Sequence, residues 1–118
     1  MSKNLKIYIY FLGLIGIFIN GLYYYLSLSY IIHENLSQDT SAMSISSASL
    51  NFSWMILYIW FLKDPTQRSG ILLISALTML FSHGLSIFYL FKEFQILNSL
   101  PTMLITILFI YGYFLLKK

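Results

Sequence analysis

The chain has 118 residues, of which 58% are apolar and only 9% are charged, whereas about a quarter of the residues in soluble domains are charged. Its mean hydropathy is +0.77, and seven basic residues against four acidic residues give a net charge of +3. So little charge argues against a soluble enzyme, a nucleic-acid-binding protein and a disordered chain. The lack of cysteine excludes disulfides and cysteine-based redox or metal chemistry. The composition therefore predicts a small integral membrane protein.

Four apolar stretches are each close to the roughly 20 residues that a helix needs to cross the hydrocarbon core. They are predicted to be helices because a backbone in lipid must satisfy its own hydrogen bonds. Asp64 suits the N-cap and Pro65 the first position of the third helix, and Ser99 with Pro101 gives the fourth a similar start. The predicted fold class is all-α, an antiparallel four-helix membrane bundle forming a single domain over 1–118, with helices at about 7–32, 44–62, 65–91 and 99–116.

The first apolar stretch invites comparison with a cleaved signal peptide, because Lys3 and Lys6 precede it. A signal peptide has an apolar region of about 7–15 residues followed by a small-residue cleavage site. This stretch is about twice that length, and no such site follows it closely. We therefore expect a permanent first helix.

The basic residues predict the orientation in the membrane. Positively charged residues favour the cytoplasmic side of a membrane protein. In the predicted arrangement only Lys92 lies on the opposite side, together with three of the four acidic residues. Both termini are therefore expected in the cytoplasm, most simply of a bacterial inner membrane, on the side that holds Lys3, Lys6, Lys63, Arg68, Lys117 and Lys118.

Small and polar residues mark one face of each predicted helix. Lipid tails are as apolar as leucine, so such residues indicate the faces on which helices pack together. The simplest interpretation of these faces is packing and hydrogen bonding between helices. The residues concerned are Gly13, Gly16, Asn20, Tyr24 and Ser27, then Ser44, Ser47, Asn51, Met55 and Tyr58, then Ser75, Thr78, Ser82, Ser86 and Tyr89, and finally Thr102, Thr106 and Tyr113.

The depth of four polar residues suggests a second interpretation. Counting about 1.5 Å per residue, Asn20 and His83 lie roughly 20 Å from the cytoplasmic end, with Asn51 and Thr106 a few ångströms lower. Polar and ionisable groups at such depth are candidates for function. We therefore hypothesise a polar pocket that binds a lipid or another hydrophobic small molecule, with Asn20, Tyr24, Asn51, Trp54, His83 and Thr106 as ligand-binding residues and Phe88 as a further aromatic wall.

Catalysis and cofactor binding fit the sequence poorly. Haem needs an axial ligand, often two histidines, and only His83 is predicted to be buried; a serine–histidine–acid triad would have only the distant Asp64 as its acid. His33, Glu34 and Asp39 lack the spacing of a recognised metal site. We expect no catalytic residues, no metal, no cofactor and no nucleic-acid partner.

The layout resembles the DoxX-like class of small bacterial four-helix membrane proteins. This resemblance implies a bacterial membrane protein with an accessory role, since some members of the class are linked to quinone or thiosulfate metabolism. It implies no catalytic residues. It is carried by Gly16 with Asn20-Gly21, by Trp60-Phe61-Leu62-Lys63-Asp64-Pro65 leading through Arg68, and by His83-Gly84.

Three functions remain open from the sequence. The first is a binding or accessory subunit whose polar layer meets a lipid, another hydrophobic small molecule or a partner helix. The second is a small transporter or channel, which at this size would need a homo-oligomer to enclose a path. Gly13 and Gly16 would suit the close helix contacts of such an assembly. The third is a self-immunity or stress protein of the membrane, which would bind a protein partner and would not need His83.

Overall fold

The chain folds into α-helices throughout its regular structure. The computed structural model describes residues 1–33, 37–90 and 93–118, with the side chains of His83 and of residues 86–99 outside the description. The all-α prediction with four helices is confirmed. Helix α1 spans Lys3–His33, α2 spans Gln38–Lys63, α3 spans Gly70–Leu90 and α4 spans Glu93–Lys117.

Serine caps start two of the helices before the apolar stretches begin. The Ser2 hydroxyl accepts a hydrogen bond from the backbone N–H of Leu5 at 3.2 Å, and α1 begins at Lys3. The Ser37 hydroxyl accepts one from the N–H of Thr40 at 3.3 Å, so that α2 begins at Gln38. Serine favours this N-cap position because its oxygen satisfies a free N–H of the first turn. Apolar residues therefore mark where lipid is expected, and the caps mark where the helices begin.

The third helix begins at Gly70 and not at Pro65. Asp64 does act as a cap, since a carboxylate oxygen accepts from the N–H of Gln67 at 3.5 Å and its carbonyl accepts from the N–H of Arg68 at 3.1 Å. The N–H of Ile71 then donates to the carbonyl of Arg68, only three residues earlier, at 3.1 Å. This shorter hydrogen bond ends the turn. A single capped turn therefore precedes α3.

The fourth helix begins at Glu93, and Pro101 lies inside it. Proline inside a helix has no N–H for the carbonyl four residues earlier. Ser99 and Pro101 thus do not start this helix, although the sequence suggests such a start.

The chain divides into two compact units, of which the first comprises Met1–Leu12 and Asp64–Lys118. In this unit α3 packs against α4. Gly112 of α4 lies where three fully buried side chains of the unit meet. A Cβ atom at Gly112 would lie 2.5 Å from Leu12, 3.3 Å from Leu72 and 3.6 Å from Ile9. A Cβ atom at this position would therefore require the Leu12 side chain to shift.

The second unit, Gly13–Lys63, is a hairpin of α1 and α2. Positions along α1 are matched by positions of falling number along α2, which makes the two helices antiparallel. Gly13 lies against Leu62, Gly16 against Tyr58 and Gly21 against Met55. The ring of Tyr24 contacts that of Phe52, with centroids 5.5 Å apart.

Three helices of the described chain are long and apolar enough to cross a membrane: Lys3–His33, Gln38–Lys63 and Leu100–Lys117. Within α3, Gly70–Ser82 forms a shorter apolar segment. Large apolar side chains cover much of the surface, as shown by Phe18 and Phe81, which are 72% and 70% exposed. Such a surface would aggregate in water and suits contact with lipid. These features suggest an integral membrane protein.

Candidate functional site

Four of the six predicted site residues lie in the hairpin of the second unit. Asn20 and Tyr24 are on α1, and Asn51 and Trp54 are on α2. Thr106 belongs to the first unit, and the side chain of His83 lies outside the described residues. The hairpin is therefore the part of the predicted site whose geometry can be described.

Asn20 lies on the face of α1 that packs on α2. Its position follows Gly13 and Gly16 by seven and four residues, which are helical spacings for one face. The Asn20 Nδ2 atom donates a hydrogen bond to the carbonyl of Gly16 at 2.8 Å, and the side chain is half-buried. The amide is thus held against its own helix at the inner face of the hairpin.

Asn51 has the same arrangement on α2. Its Nδ2 atom donates to the carbonyl of Ser47 at 2.9 Å, and the side chain is half-buried. It shares a helix face with Ala48 and Tyr58, which are 3% exposed. Both asparagines therefore lie on the surfaces with which α1 and α2 face each other.

The heights of the two asparagines differ from those obtained by counting along the sequence. That count assumed that the cytoplasmic ends of the apolar stretches are level. It put Asn51 closer to the cytoplasmic end than Asn20. In the hairpin, Leu62 is level with Gly13, and the Tyr24–Phe52 ring contact puts Asn51 beside Tyr24. Asn51 is therefore about one helical turn, roughly 5.4 Å, farther along α1 than Asn20.

Both amides have hydrogen-bonding capacity left over. An asparagine side chain has two N–H donors and one oxygen with two acceptor sites. The structure gives Asn20 and Asn51 one side-chain hydrogen bond each within the described residues. In the same residues no buried side-chain nitrogen or oxygen lacks a partner. The amide oxygens, for which no hydrogen bond is found within the described residues, are therefore not fully buried.

Two aromatic rings follow Asn51 along α2. Phe52 contacts Tyr24 across the hairpin, as described above, and the Trp54 ring lies 6.1 Å from the ring of Tyr58 on the same helix. Trp54 and Tyr24 are half-buried. The candidate site thus combines two amides with partly exposed aromatic surface, a combination that suits a mainly apolar ligand with a polar group.

The spacing of the two helices changes along the hairpin. A Cβ atom at Gly16 would lie 2.6 Å from the Tyr58 ring, closer than real Cβ contacts. At Gly21 the nearest atom would be the terminal carbon of Met55 at 3.4 Å, an ordinary van der Waals contact. The helices are therefore tightest at Gly13 and Gly16 and have more room around Asn20 and Gly21.

Thr106 is a packing residue in the first unit. It is 2% exposed, and its hydroxyl donates to the carbonyl of Thr102 at 2.8 Å. Ser75 on α3 donates in the same way to Ile71 at 2.7 Å and is 4% exposed. These hydroxyls are buried without loss because their own helix supplies the acceptor.

Two features of the first unit escape the sequence analysis. The Tyr8 hydroxyl donates to the carbonyl of Leu108 at 2.7 Å, and its ring meets that of Tyr111 at 6.0 Å. Neither tyrosine is among the residues that the sequence marks as packing or site residues. Gly112, where Ile9 and Leu12 meet, lies off the polar face of its helix, so only its small size could have indicated its role.

No protein-family model, curated protein or solved structure matches this chain. The assignment of a function therefore rests on the residues of the chain.

Proposed function

We propose that this chain is a non-catalytic integral membrane protein that binds a hydrophobic small molecule or lipid at the α1–α2 hairpin. The ligand would carry a polar group that hydrogen-bonds to the amides of Asn20 and Asn51. The observation that supports this proposal is the hydrogen-bonding capacity that these two incompletely buried side chains leave unused within the described residues.

The expected depth of the amides strengthens the proposal. Measured from the level of Gly13 and Leu62, Asn20 is about 11 Å along α1 and Asn51 about 17 Å along α2, at about 1.5 Å per residue. Both distances fall within a hydrocarbon core of about 30 Å. Polar atoms left unpaired in lipid carry a large free-energy penalty, which a ligand with a matching polar group would remove.

The proposal extends to the setting of the protein. A binding role is compatible with the accessory role implied by the resemblance to DoxX-like proteins, and we retain that resemblance as part of the proposal. We also propose a bacterial inner membrane with both termini in the cytoplasm, supported by six of the seven basic residues lying at one predicted side.

The test is to ask whether a hydrophobic small molecule co-purifies with the protein. Native mass spectra would be recorded after mild detergent extraction for the wild type, Asn20→Leu and Asn51→Leu. Leucine is close to asparagine in size and lacks the amide. We expect one additional mass on the wild type and its loss in both variants.

Thr78→Val is the matched control. Thr78 is exposed on α3 and donates to the carbonyl of Ile74 at 2.8 Å, the same bond within one helix that both asparagines make. Valine keeps its shape, so the additional mass should persist. The proposal fails if the wild type carries no additional mass, or if the double variant Asn20→Leu/Asn51→Leu retains it.

A further inference from the structure

The first unit carries most of the positive charge of the chain at one end. The contacts of Gly112 with Ile9, Leu12 and Leu72 put the start of α1, the start of α3 and the end of α4 side by side. We call this the basic end, and it is defined by Lys3, Lys6, Arg68, Lys117 and Lys118.

Basic side chains outnumber acidic side chains at this end. Asp64 is the one acidic side chain in the same segments of the sequence, against five basic ones. All four lysines are exposed. At an ionic strength of 0.15 M the Debye length is about 8 Å, so neighbouring lysines on adjacent helix ends act together on an approaching anion.

Tyrosines lie next to the basic residues of the basic end, towards the apolar part of the helices. Tyr10 and Tyr111 are 39% and 57% exposed. The ammonium group of Lys117 lies 5.8 Å from the centre of the Tyr113 ring, within the range of a cation–π interaction. Exposed tyrosines mark the level of lipid headgroups, because the ring is apolar and the hydroxyl is hydrated. The lysines therefore extend to the height at which lipid phosphates lie.

We propose that the basic end is a binding surface for anionic phospholipid headgroups. The basic side chains of three helix ends contact the negatively charged headgroups while the exposed tyrosines sit between the lipids. Charge complementarity supports this occupant, since the surface is basic and exposed and lies beside apolar helix surface that suits lipid chains. The surface belongs to the first unit, so the proposal is independent of the ligand proposed for the hairpin.

The experiment compares two lipids on the intact chain. Detergent-solubilised protein would be titrated with phosphatidylglycerol and with phosphatidylcholine, and bound lipids would be counted by native mass spectrometry. We expect the wild type to prefer phosphatidylglycerol. One lysine near an anionic surface changes binding by about fivefold, so Lys117→Gln and Lys6→Gln should each lower the preference by about that factor.

Lys92→Gln is the matched control, because it removes one positive charge from the connection between α3 and α4. It should leave the preference unchanged. Raising the salt concentration to 0.5 M should weaken the preference of the wild type. Equal binding of both lipids by the wild type would overturn the proposal, and so would an equal loss in Lys92→Gln and Lys117→Gln.

Discussion

Short polar side chains in these helices bond to their own helix. Asn20, Asn51 and Thr106 each donate to the carbonyl four residues earlier, and so do the exposed Ser49 and Ser53. The sequence favoured hydrogen bonds between helices. The local bond prevails because the acceptor is always within reach, whereas an acceptor on another helix requires exact alignment. A face of small and polar residues therefore indicates that two helices can pack closely. It is a weaker sign of hydrogen bonds between the helices.

The Tyr8 side chain bonds to another helix, and removing its hydroxyl gives a direct prediction. Tyr8→Phe should lower the free energy of unfolding by about 0.5–1.5 kcal/mol, because the hydrogen bond to the carbonyl of Leu108 is lost while the ring remains beside Tyr111. The measurement is reversible unfolding in mild detergent titrated with a denaturing detergent.

Tyr10→Phe is the control, since Tyr10 is exposed on the same helix. It should change the free energy of unfolding by less than about 0.5 kcal/mol. Equal effects of the two substitutions would show that the bond from Tyr8 to Leu108 does not stabilise the fold.

The residues of the candidate site were identifiable from the sequence, but their arrangement was not. An asparagine in an apolar stretch stands out because placing its amide in the membrane costs free energy. This cost pointed to Asn20 and Asn51. Their relative height depends on the register of α1 against α2. That register is set by the fit of Gly13 and Gly16 to Leu62 and Tyr58. Counting from the ends of the apolar stretches cannot show which residues of the two helices face each other.

At the scale of the elements, the α1–α2 hairpin depends on the glycines of α1. A Cβ atom at Gly16 would lie 2.5–2.6 Å from atoms of the Tyr58 ring, which is rigid and 3% exposed. Gly16→Ala should therefore lower the free energy of unfolding by about 1–3 kcal/mol, as overpacking does elsewhere. The same detergent titration measures it.

Gly21→Ala on the same helix provides the comparison. The new methyl group would lie 3.4 Å from the end of the flexible Met55 side chain, so no neighbour has to move. Alanine is also favoured over glycine inside helices by about 0.5–1 kcal/mol. We expect a neutral or slightly stabilising effect, and a loss as large as that of Gly16→Ala would refute the proposed tight contact at Gly16.

The ends of the elements were harder to predict than their existence. Four long apolar runs are sufficient to predict four helices, as found. The starts depend on single hydrogen bonds, such as that of Ser37 at α2, and on the closed turn that follows Asp64. Pro65 and Pro101 were interpreted alike, yet one precedes a helix and the other lies within one.

At the scale of the whole molecule, the all-α fold follows from composition, whereas the division into two compact units does not. The boundary between the units falls inside α1, between Leu12 and Gly13. Nothing in the sequence interrupts the apolar run there. The division arises from partners, because Ile9 and Leu12 meet Gly112 while Gly13 and Gly16 meet α2.

The charge distribution predicts the topology of the whole chain. Green fluorescent protein fused after Lys118 should fluoresce in a bacterial host, and alkaline phosphatase fused there should be inactive. Alkaline phosphatase inserted in the connection between α1 and α2 should be active. These expectations follow from the lysines and arginine at one side. An active phosphatase at the C-terminus would show that the proposed orientation is inverted.

The pairing of α1 with the serine-rich α2 has a consequence for how the protein is made. Among the three spanning candidates α2 is the least apolar, and its N-terminal half contains many hydroxyl groups. A helix of that kind leaves the insertion machinery for lipid less readily than α1 does. The glycines of α1 offer it a surface that already fits. We therefore expect α2 to enter the bilayer beside a waiting α1, so that the hairpin is the unit of insertion during synthesis.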